Sequence, residues 1–385
     1  MIYLDHAATT PLDKEVLNEM LPYFSETFGN ANSQHTYGQR AASAVVKARE
    51  EVAECINAKP SEVYFTSGGT EADNWAIKGT ALALKEKGKH IITSKIEHSA
   101  IYASCKQLES LGFEVTYLDV SSDGFVSPDD LRKAITDKTI LVSIMFANNE
   151  MGAIQPIKEL AKVAHERDVV FHTDAVQAAG ALHIDVKDLG VDLMSISGHK
   201  FYGPKGIGCL YIRSGLKMER LITGGEQERS KRGGTTNVPA VVGMGKALKK
   251  ATAEIDKNAE YVSSLRDRFI EKVENRISDI KFNGPRHDRL PNNASFSFRY
   301  IEGESILFSL DLKGICASSG SACSSGSLEP SRTLLAIGTP VGLAHGTIRF
   351  SFGKHNTVEE VDKTVDILAE EVERLRAMSP LYKKQ

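Results

Sequence analysis

The sequence feature that most constrains the fold is a regular alternation of short apolar runs and amphipathic segments between residues 60 and 235. Such runs predict buried strands, and the amphipathic segments predict helices that pack on the sheet. The alternation is typical of a mainly parallel sheet with helices on both faces and ligands at the carboxyl ends of its strands. The sequence therefore predicts an α/β fold. The predicted strands are 63–66, 90–93, 114–118, 140–146, 169–172, 193–196 and 208–212, and the predicted helices are 71–86, 99–110, 128–135 and 156–167.

The remainder of the chain predicts a second, smaller α+β region. A long helical stretch carries apolar side chains on one face from Leu248 to Val273, and strands are predicted near 294–299 and 346–351. A chain of this length has room for two hydrophobic cores. The predicted domains are a large one over 14–255 and a small one formed by 1–13 together with 256–385.

The closing helix is predicted from its N-terminal signal. Thr357 and Glu360 form a capping-box pattern just ahead of an apolar stripe. The helical period of this stripe predicts core packing rather than a partner site. The stripe consists of Val358, Val361, Val365, Leu368, Val372 and Leu375.

Composition disfavours several classes of function. With 47 basic and 50 acidic residues the formal net charge is −3, which provides no basic field for nucleic acid or for an anionic membrane. No apolar run reaches the length of a membrane-spanning helix, and the chain opens into an extended segment rather than a signal peptide. Five cysteines without paired spacing predict free thiols. We expect a cytoplasmic protein that binds neither nucleic acid nor membrane.

Two neighbouring predicted strands deliver an acid and a lysine to the same edge of the sheet. Asp174 ends the first run, and Lys200 follows the second in Ser197-Gly198-His199-Lys200. Pyridoxal phosphate requires such a pair, because the acid keeps its ring nitrogen protonated and the lysine attaches its aldehyde covalently. Taken singly, each residue has an ordinary interpretation, since most lysines are solvated and many strand-end aspartates cap helices. The pair, with a phosphate site upstream, favours pyridoxal phosphate.

A glycine-rich turn upstream is the candidate phosphate site. Ser67-Gly68-Gly69-Thr70 lies between a predicted strand and a predicted helix, where small residues let backbone N–H groups approach an anion. Alone, such a turn is usually only a connection. The side chains of Thr70, Ser197 and His199 would complete the site if the strand ends converge. His98 follows another strand, where it could stack on the cofactor ring and move protons, although a lone histidine is more often structural.

Six segments spread along the chain form a longer pattern. They are Tyr3-Leu4-Asp5-His6-Ala7-Ala8-Thr9-Thr10, Thr66-Ser67-Gly68-Gly69-Thr70-Glu71, Asn148-Asn149-Glu150, His172-Thr173-Asp174-Ala175-Val176-Gln177, Ser197-Gly198-His199-Lys200 and Ser318-Ser319-Gly320-Ser321-Ala322-Cys323. Together they resemble the cysteine desulfurases of the NifS/IscS kind nearly from end to end. The resemblance implies a fold-type I, pyridoxal-phosphate-dependent transferase that removes sulfur from L-cysteine and leaves L-alanine.

The resemblance also implies a role for each candidate residue. Arg349 would hold the substrate carboxylate with its guanidinium fork, a bidentate task to which arginine is suited. Thr235 would cross a homodimer interface to reach the partner's cofactor phosphate. The cofactor would be bound by Gly69, Thr70, Ser197 and His199 at its phosphate, by Asp174 at its ring nitrogen, by Gln177 at its phenolic oxygen, by His98 through stacking, by Lys200 covalently, and by Asn149, which also lies beside the substrate.

Cys323 distinguishes a desulfurase from an aminotransferase. It lies in the Ser/Gly-rich segment 317–327, which has few apolar residues to bury it. A thiol on such a loop is typical of a nucleophile that can reach both a buried substrate and an outside acceptor. No Cys-x-x-Cys or similar spacing accompanies it, so we expect no resident metal. The other cysteines have apolar neighbours and are expected to be small buried hydrophobes: Cys55, Cys105, Cys209 and Cys316.

In the implied reaction, Lys200 gives up its place on the cofactor to L-cysteine and then takes the α-proton, while His98 assists proton movement. The Cys323 thiolate attacks the substrate sulfur, which leaves alanine and a persulfide. The resemblance implies that the sulfur passes to an acceptor protein. This acceptor would be either an iron–sulfur scaffold, whose cluster Cys323 would contact transiently, or a tRNA-thiolating enzyme.

Three alternatives stay open from the sequence: a selenocysteine lyase, an aminotransferase of the same fold, and a non-catalytic adaptor. Cys323 disfavours the aminotransferase. An adaptor would have no use for Lys200, Asp174 and Cys323 together. Selectivity between selenium and sulfur leaves almost no mark on the sequence.

Overall fold

A computed structural model describes residues 1–319 and 330–382, and Cys323 lies outside them. In this part of the chain the strands, numbered in order, are β1 (Ile2–Tyr3), β2 (Val63–Thr66), β3 (His90–Ser94), β4 (Glu114–Leu118), β5 (Thr139–Ser143), β6 (Val170–Asp174), β7 (Leu193–Ser197), β8 (Gly208–Ile212), β9 (Ile280–Phe282), β10 (Asn293–Phe298), β11 (Ile315–Cys316) and β12 (Thr347–Ser351).

The helices of the same residues vary widely in length. None of them is long and apolar enough to cross a membrane. Pro60–Glu62 and Gly198–Lys200 are 3₁₀ turns and Trp75–Gly79 is a π-helical turn. The α-helices are α1 (Lys14–Met20), α2 (Pro22–Ser25), α3 (Thr36–Cys55), α4 (Gly69–Asn74), α5 (Thr80–Leu84), α6 (Ser99–Ser110), α7 (Pro128–Ala134), α8 (Ile157–His165), α9 (Val186–Leu189), α10 (Gln227–Ser230), α11 (Val238–Ala253), α12 (Ile255–Arg276), α13 (Gly303–Leu312), α14 (Arg332–Ala336), α15 (Val341–Ala344) and α16 (Val358–Met378).

The described residues build a main sheet with the strand order β2-β8-β7-β6-β5-β3-β4. The pairs from β7 to β4 are parallel, and β8 is antiparallel to both of its neighbours. Helices cover both faces of this sheet. Successive side chains of a strand point to opposite faces, and Ile91 packs with α6 in one cluster while its neighbour Ile92 packs with α8 in another. The prediction of an α/β fold with a mainly parallel sheet is confirmed. Burial on both faces explains why the strands read as continuous apolar runs.

A smaller antiparallel sheet, in the order β12-β10-β9, has a core of its own. Phe269 of α12 fills this core, with its ring centroid 4.7 Å from that of Phe350. Strand β1 pairs with β11, so Ile2 and Leu4 pack in this core as well. The arrangement agrees with placing the first residues in the small domain, but the domain limits at 13/14 and 255/256 stay a prediction.

Two details of the predicted helices were wrong. The long helical stretch is divided at Glu254 (φ −107°, ψ 5°), because α11 packs on α3 whereas α12 packs on the small sheet. Thr357 and Glu360 do form the predicted capping box of α16. Val358, however, is 40% exposed, because it occupies the first helical position, ahead of the buried part of the stripe that begins at Val361.

Candidate active site

A cavity of about 310 Å³ opens where β5, β6 and β7 end. Carboxyl ends of parallel strands meet at one edge of a sheet, which is why side chains distant in sequence converge here. The residues predicted from the sequence that line it are Gly69, Thr70, His98, Asn149, Asp174, Gln177, Ser197, His199, Lys200 and Arg349. The lining residues without a predicted role are Ala7, Ala8, Asp73, Met145, Ala147 and Val176.

The glycine-rich turn packs against the strand ends that carry Val176 and Ser197. A β-carbon at Gly69 would lie 2.7 Å from Cγ2 of Val176, so only glycine fits this approach. His199 is held by a contact of 3.1 Å between its Nδ1 and Oγ1 of Thr9. Burial lowers the pKa of His199 to about 4, with the charge of Lys200 acting in the same direction. The imidazole is therefore neutral at physiological pH.

Asp174 is the last residue of β6 and is only 5% exposed. One carboxylate oxygen accepts the N–H of Val176 at 2.9 Å. Burial raises its pKa, while His98, the Val176 N–H and Lys200 act against that rise. His98 caps α6 by accepting the N–H of Ala100 at its Nδ1, 3.2 Å away. The N-cap of α6 and the end of β6 thus bring the His98 imidazole and the Asp174 carboxylate together.

Lys200 is held by backbone carbonyls from the start of the chain. Its Nζ donates to the oxygens of Ala7 and Ala8, at 2.5 and 2.8 Å. Gln177 Nε2 also donates to the Ala7 oxygen, at 2.9 Å. The amine and the amide therefore share one acceptor.

Arg349 lies buried on β12 at the other side of the cavity. Its Nη1 donates to the Asn149 carbonyl at 2.9 Å, and its Nη2 donates to Oδ1 of Asp5 at 2.8 Å. Its Nε has no hydrogen-bond partner among the described residues. A buried guanidinium whose Nε has no partner among the described residues is suited to a carboxylate ligand.

The donor set of the cavity fits pyridoxal phosphate. Hydroxyl and imidazole groups at Ser197 and His199 suit a phosphate, and the Asp174 carboxylate suits a protonated ring nitrogen. The Lys200 amine lines the same cavity and suits an aldehyde. These side chains offer a partner for each polar end of the cofactor.

Thr235 does not line the cavity of the single chain and is exposed. Its segment is joined to the phosphate turn by a bidentate pair between Arg232 and Glu71, at 2.8 and 2.9 Å. It is also anchored upstream, where the buried Glu228 forms a bidentate pair with Arg49 at 2.6 and 2.7 Å. Glu228 and its two successors have φ of 47°, 55° and 61°, so the short element α10 contains a left-handed turn at these three residues, and the buried pair holds this turn in place.

The four described cysteines are free thiols. Cys105 and Cys209 are buried, and burial raises the pKa of each to about 12. Cys55 and Cys316 are only half-buried, so their assignment as buried hydrophobes was wrong. Both lie at the end of an element, where one side of the residue meets solvent. Burial raises the pKa of these two thiols as well.

Sequence reasoning missed three contributions to the cavity. The Ala7 and Ala8 carbonyls carry no signal of their own in a sequence. Asp5 stood in a recognised motif without an assigned role. Asp73 could have been found from the helical period, since residues three and four apart, such as Gly69, Thr70 and Asp73, share a face.

Comparisons with known proteins place these residues in a wider context. The sequence model of a family described as aminotransferase class-V matches residues 2–364. A protein named cysteine desulfurase IscS, from Dictyoglomus turgidum, is 58% identical over 384 residues, which cover 100% of this chain and 97% of that protein. A solved structure described as a NifS-like protein has a TM-score of 0.92 and 38% identity, covering 97% of this chain and 100% of its own. Another, described as SspA in complex with cysteine, has a TM-score of 0.82 and 37% identity, covering 93% of this chain and 100% of its own.

Proposed function

Because the chain belongs to the class-V aminotransferase family and is a pyridoxal-phosphate-dependent cysteine desulfurase within it, we propose which residues carry the reaction. The observation that carries the proposal is the meeting of the Lys200 amine, the Asp174 carboxylate and the Arg349 guanidinium in one cavity. Bound there, pyridoxal phosphate supplies an aldehyde that combines with amines and a protonated ring that accepts an electron pair.

The residues that hold the cofactor are proposed from their chemistry and place in the cavity. Asp174 would keep the ring nitrogen protonated, because a buried carboxylate stabilises a positive partner strongly. His98 would stack on the ring, and Thr235 would reach the cofactor phosphate of the partner subunit. The remaining ligands would be Gly69, Thr70, Ser197 and His199 at the phosphate, Gln177 at the phenolic oxygen and Asn149 beside the ring.

Lys200 is proposed to attach the cofactor and later, as a free amine, to take the α-proton of L-cysteine at Nζ. The carbonyls of Ala7 and Ala8 give the resulting ammonium two acceptors. His98 is proposed to move a second proton. Its position within 4.8 Å of an Asp174 oxygen supports that role.

Arg349 is proposed to bind the substrate carboxylate. Asp5 and Asn149 engage its two terminal nitrogens and fix the plane of the guanidinium. The Nε donor is buried and has no partner among the described residues, and we propose that it donates to the carboxylate. This arrangement orients L-cysteine by its charged end.

Cys323 is proposed as the nucleophile, and the described flanks of its segment support its reach. Ser318 exchanges backbone hydrogen bonds with Arg349, at 3.1 and 2.6 Å. Downstream, Ser331 donates to Oε2 of Glu150 at 2.5 Å. Cys323 follows Ser318 by five residues (323 − 318 = 5), so chain length keeps it within about 18 Å of an anchor at the cavity.

The proposed sulfur transfer is balanced without an external oxidant. The Cys323 thiolate attacks the sulfur of L-cysteine, and an S–S bond forms as the substrate Cβ–S bond breaks. The Cβ keeps the electron pair and takes a proton, so the products are alanine and a persulfide on Cys323. We propose that this sulfur passes to an acceptor for iron–sulfur cluster assembly or tRNA thiolation.

We also propose a homodimer in the cytoplasm. Large apolar side chains in and next to α1 and α2 are exposed in the single chain, which supports a protein interface: Leu17, Leu21, Phe24 and Phe28. The free state of the four described cysteines supports a reducing compartment.

The decisive experiment compares Cys323→Ser with a matched Cys316→Ser control. The Cys323→Ser holoprotein should keep its visible absorbance and its spectral response to L-cysteine, but release almost no alanine and carry no persulfide. The Cys316→Ser protein should release alanine and carry the persulfide as the wild-type protein does. Alanine release near the normal rate from Cys323→Ser would overturn the proposed nucleophile, and activity retained on selenocysteine alone would favour a lyase.

A further inference from the structure

Asp73 lies in the wall of the cavity beside Asp174, and the reaction described above does not use it. It is 1% exposed, and its Oδ1 has no hydrogen-bond partner among the described residues. Side-chain atoms of Asp73, His98 and Asp174 lie within 4.8 Å of one another. The residue stands just before the π-helical turn Trp75–Gly79, a local widening that is common at functional sites. Its position therefore suits a direct interaction with Asp174.

Three titratable groups face Asp73 besides Asp174. His98 lies within 4.8 Å of both carboxyl groups, and its charge favours the ionised form of Asp174. The other two supply no positive charge for a second carboxylate. His172 Nε2 lies 3.9 Å from Oδ1 of Asp73. Its ring nitrogens contact the hydroxyls of Ser143 and Ser195, at 2.8 and 3.0 Å, and burial lowers its pKa to about 3, so the ring is neutral. Glu97, from the turn after β3, adds another acidic group instead of a cation.

The single proton of the pair therefore belongs on Asp73. Burial raises the pKa of Asp73 well above its usual range, and the charge of Asp174 raises it further, against the hydrogen bond from Ser195. Asp174 is better placed to ionise, because it accepts the Val176 N–H and faces Lys200 and His98. Two carboxyl groups this close do not both ionise in a buried site.

We propose that Asp73 is a positioning residue that keeps a proton at neutral pH and donates it in a hydrogen bond to the Asp174 carboxylate. The inference rests on the proposed role of Asp174 as the partner of the cofactor ring nitrogen. A donor at this place stabilises Asp174 in its ionised form and fixes its orientation, so that its remaining lone pairs face the ring.

The test compares two variants of similar shape. Asp73→Asn can donate a hydrogen bond but cannot ionise, and Asp73→Leu can do neither. Titration of the apoprotein with pyridoxal phosphate should give an affinity within about twofold of wild type for Asp73→Asn, and about tenfold weaker for Asp73→Leu, as expected when a hydrogen bond to a charged group is lost. If Asp73 were ionised, Asp73→Asn would weaken binding as well, and that result would overturn the proposal. Wild-type affinity in Asp73→Leu would overturn it too.

A second measurement reads the proton directly in the apoprotein. Isotope-edited infrared spectra of protein carrying 13C-labelled aspartate should show a protonated carboxyl band at neutral pH that Asp73→Asn removes. Absence of the band in wild type would overturn the proposal. The Asp174→Asn variant tests the proposed role of Asp174 separately from the protonation of Asp73. Unchanged cofactor affinity in Asp174→Asn would overturn the role of Asp174, and the infrared band would still report whether Asp73 carries a proton.

Discussion

Nη2 of Arg349 donates a hydrogen bond of 2.8 Å to Oδ1 of Asp5, a residue 344 positions earlier in the chain. The pair joins strand β12 to the segment that also holds Lys200 through Ala7 and Ala8. The proposed substrate clamp and the proposed cofactor lysine are therefore attached to the same few residues.

Replacing Arg349 by lysine should weaken substrate binding far more than cofactor binding. Lysine keeps the charge but loses the planar fork that reaches Asp5, Asn149 and the substrate together. We expect KM for L-cysteine to rise about 10- to 100-fold, the size of a charge-assisted hydrogen bond, with little change in the affinity of the apoprotein for pyridoxal phosphate. Arg376→Lys, a buried arginine outside the cavity, is the control and should leave KM unchanged. An unchanged KM in Arg349→Lys would reduce Arg349 to a structural charge.

Covalent attachment of the cofactor should map to Lys200 alone. Borohydride reduction of the holoprotein followed by peptide mass mapping should place the pyridoxyl tag on the peptide that contains Lys200. Lys205 and Lys354 are the nearby controls and should stay unmodified. A tag on either of them, or none at all, contradicts the assignment.

The buried ion pair between Arg49 and Glu228 should be important for stability. Glu228 also accepts the N–H of Phe65, so Glu228→Gln leaves the arginine charge buried without its partner. We expect the free energy of unfolding of the apoprotein to fall by about 3–5 kcal/mol in a denaturant titration at fixed protein concentration. The more exposed pair of Arg268 and Asp362 is the matched comparison, and Asp362→Asn should cost less than about 1 kcal/mol. Equal effects would contradict a larger contribution of the buried pair to stability.

Glu97 should make the protein less stable as pH rises. Burial raises its pKa to about 8, against hydrogen bonds from Ser94 and Met145, so the folded state binds the proton more tightly than the unfolded state. Its stabilising contribution is complete below the ordinary pKa and is lost as pH rises through about 8, by up to about 1.4 kcal/mol per pH unit. Glu97→Gln should therefore match wild type near pH 4 and exceed it at pH 8 in unfolding titrations of the apoprotein.

Glu62 provides a control of opposite sign for Glu97. Its pKa is lowered, because hydrogen bonds from Lys59 and Ser214 outweigh the effect of burial. Its contribution is present above the ordinary pKa and lost on acidification. Glu62→Gln should accordingly lose stability at neutral pH. If the free energy of unfolding changed with pH in the same way in the Glu97→Gln protein and in wild type, Glu97 would be ionised in the folded protein at neutral pH, and the prediction would be wrong.

The active protein should be a homodimer, as proposed from Thr235. Sedimentation of the holoprotein should give twice the mass of one chain, and Thr235→Ala should weaken cofactor binding without changing that mass. Thr236→Ala is the neighbouring control. An active monomer that retains pyridoxal phosphate would refute the dimer.

Much of the fold and of the cavity followed from the sequence, because both rest on local patterns. Apolar runs predicted the sheet, and the strand-end positions of Asp174 and Lys200 predicted where they meet. Contacts through backbone carbonyls, such as Ala7 with Lys200, could not be predicted, since they depend on how distant segments pack and not on the type of side chain. The break at Glu254 was missed for a related reason: the apolar stripe continues across it while the two helices pack on different cores.

The contact between residues 5 and 349 has a consequence for biosynthesis. A ribosome releases Asp5, Ala7 and Ala8 first, yet their partners at 177, 200 and 349 emerge much later. The main sheet has all its strands once residue 212 has been made, but the cofactor cavity lacks a wall until β12 arrives. The side chain proposed to bind the substrate carboxylate, Arg349, is therefore made after every residue proposed to hold the cofactor, so the cavity can bind L-cysteine by its charged end only once β12 has joined the fold.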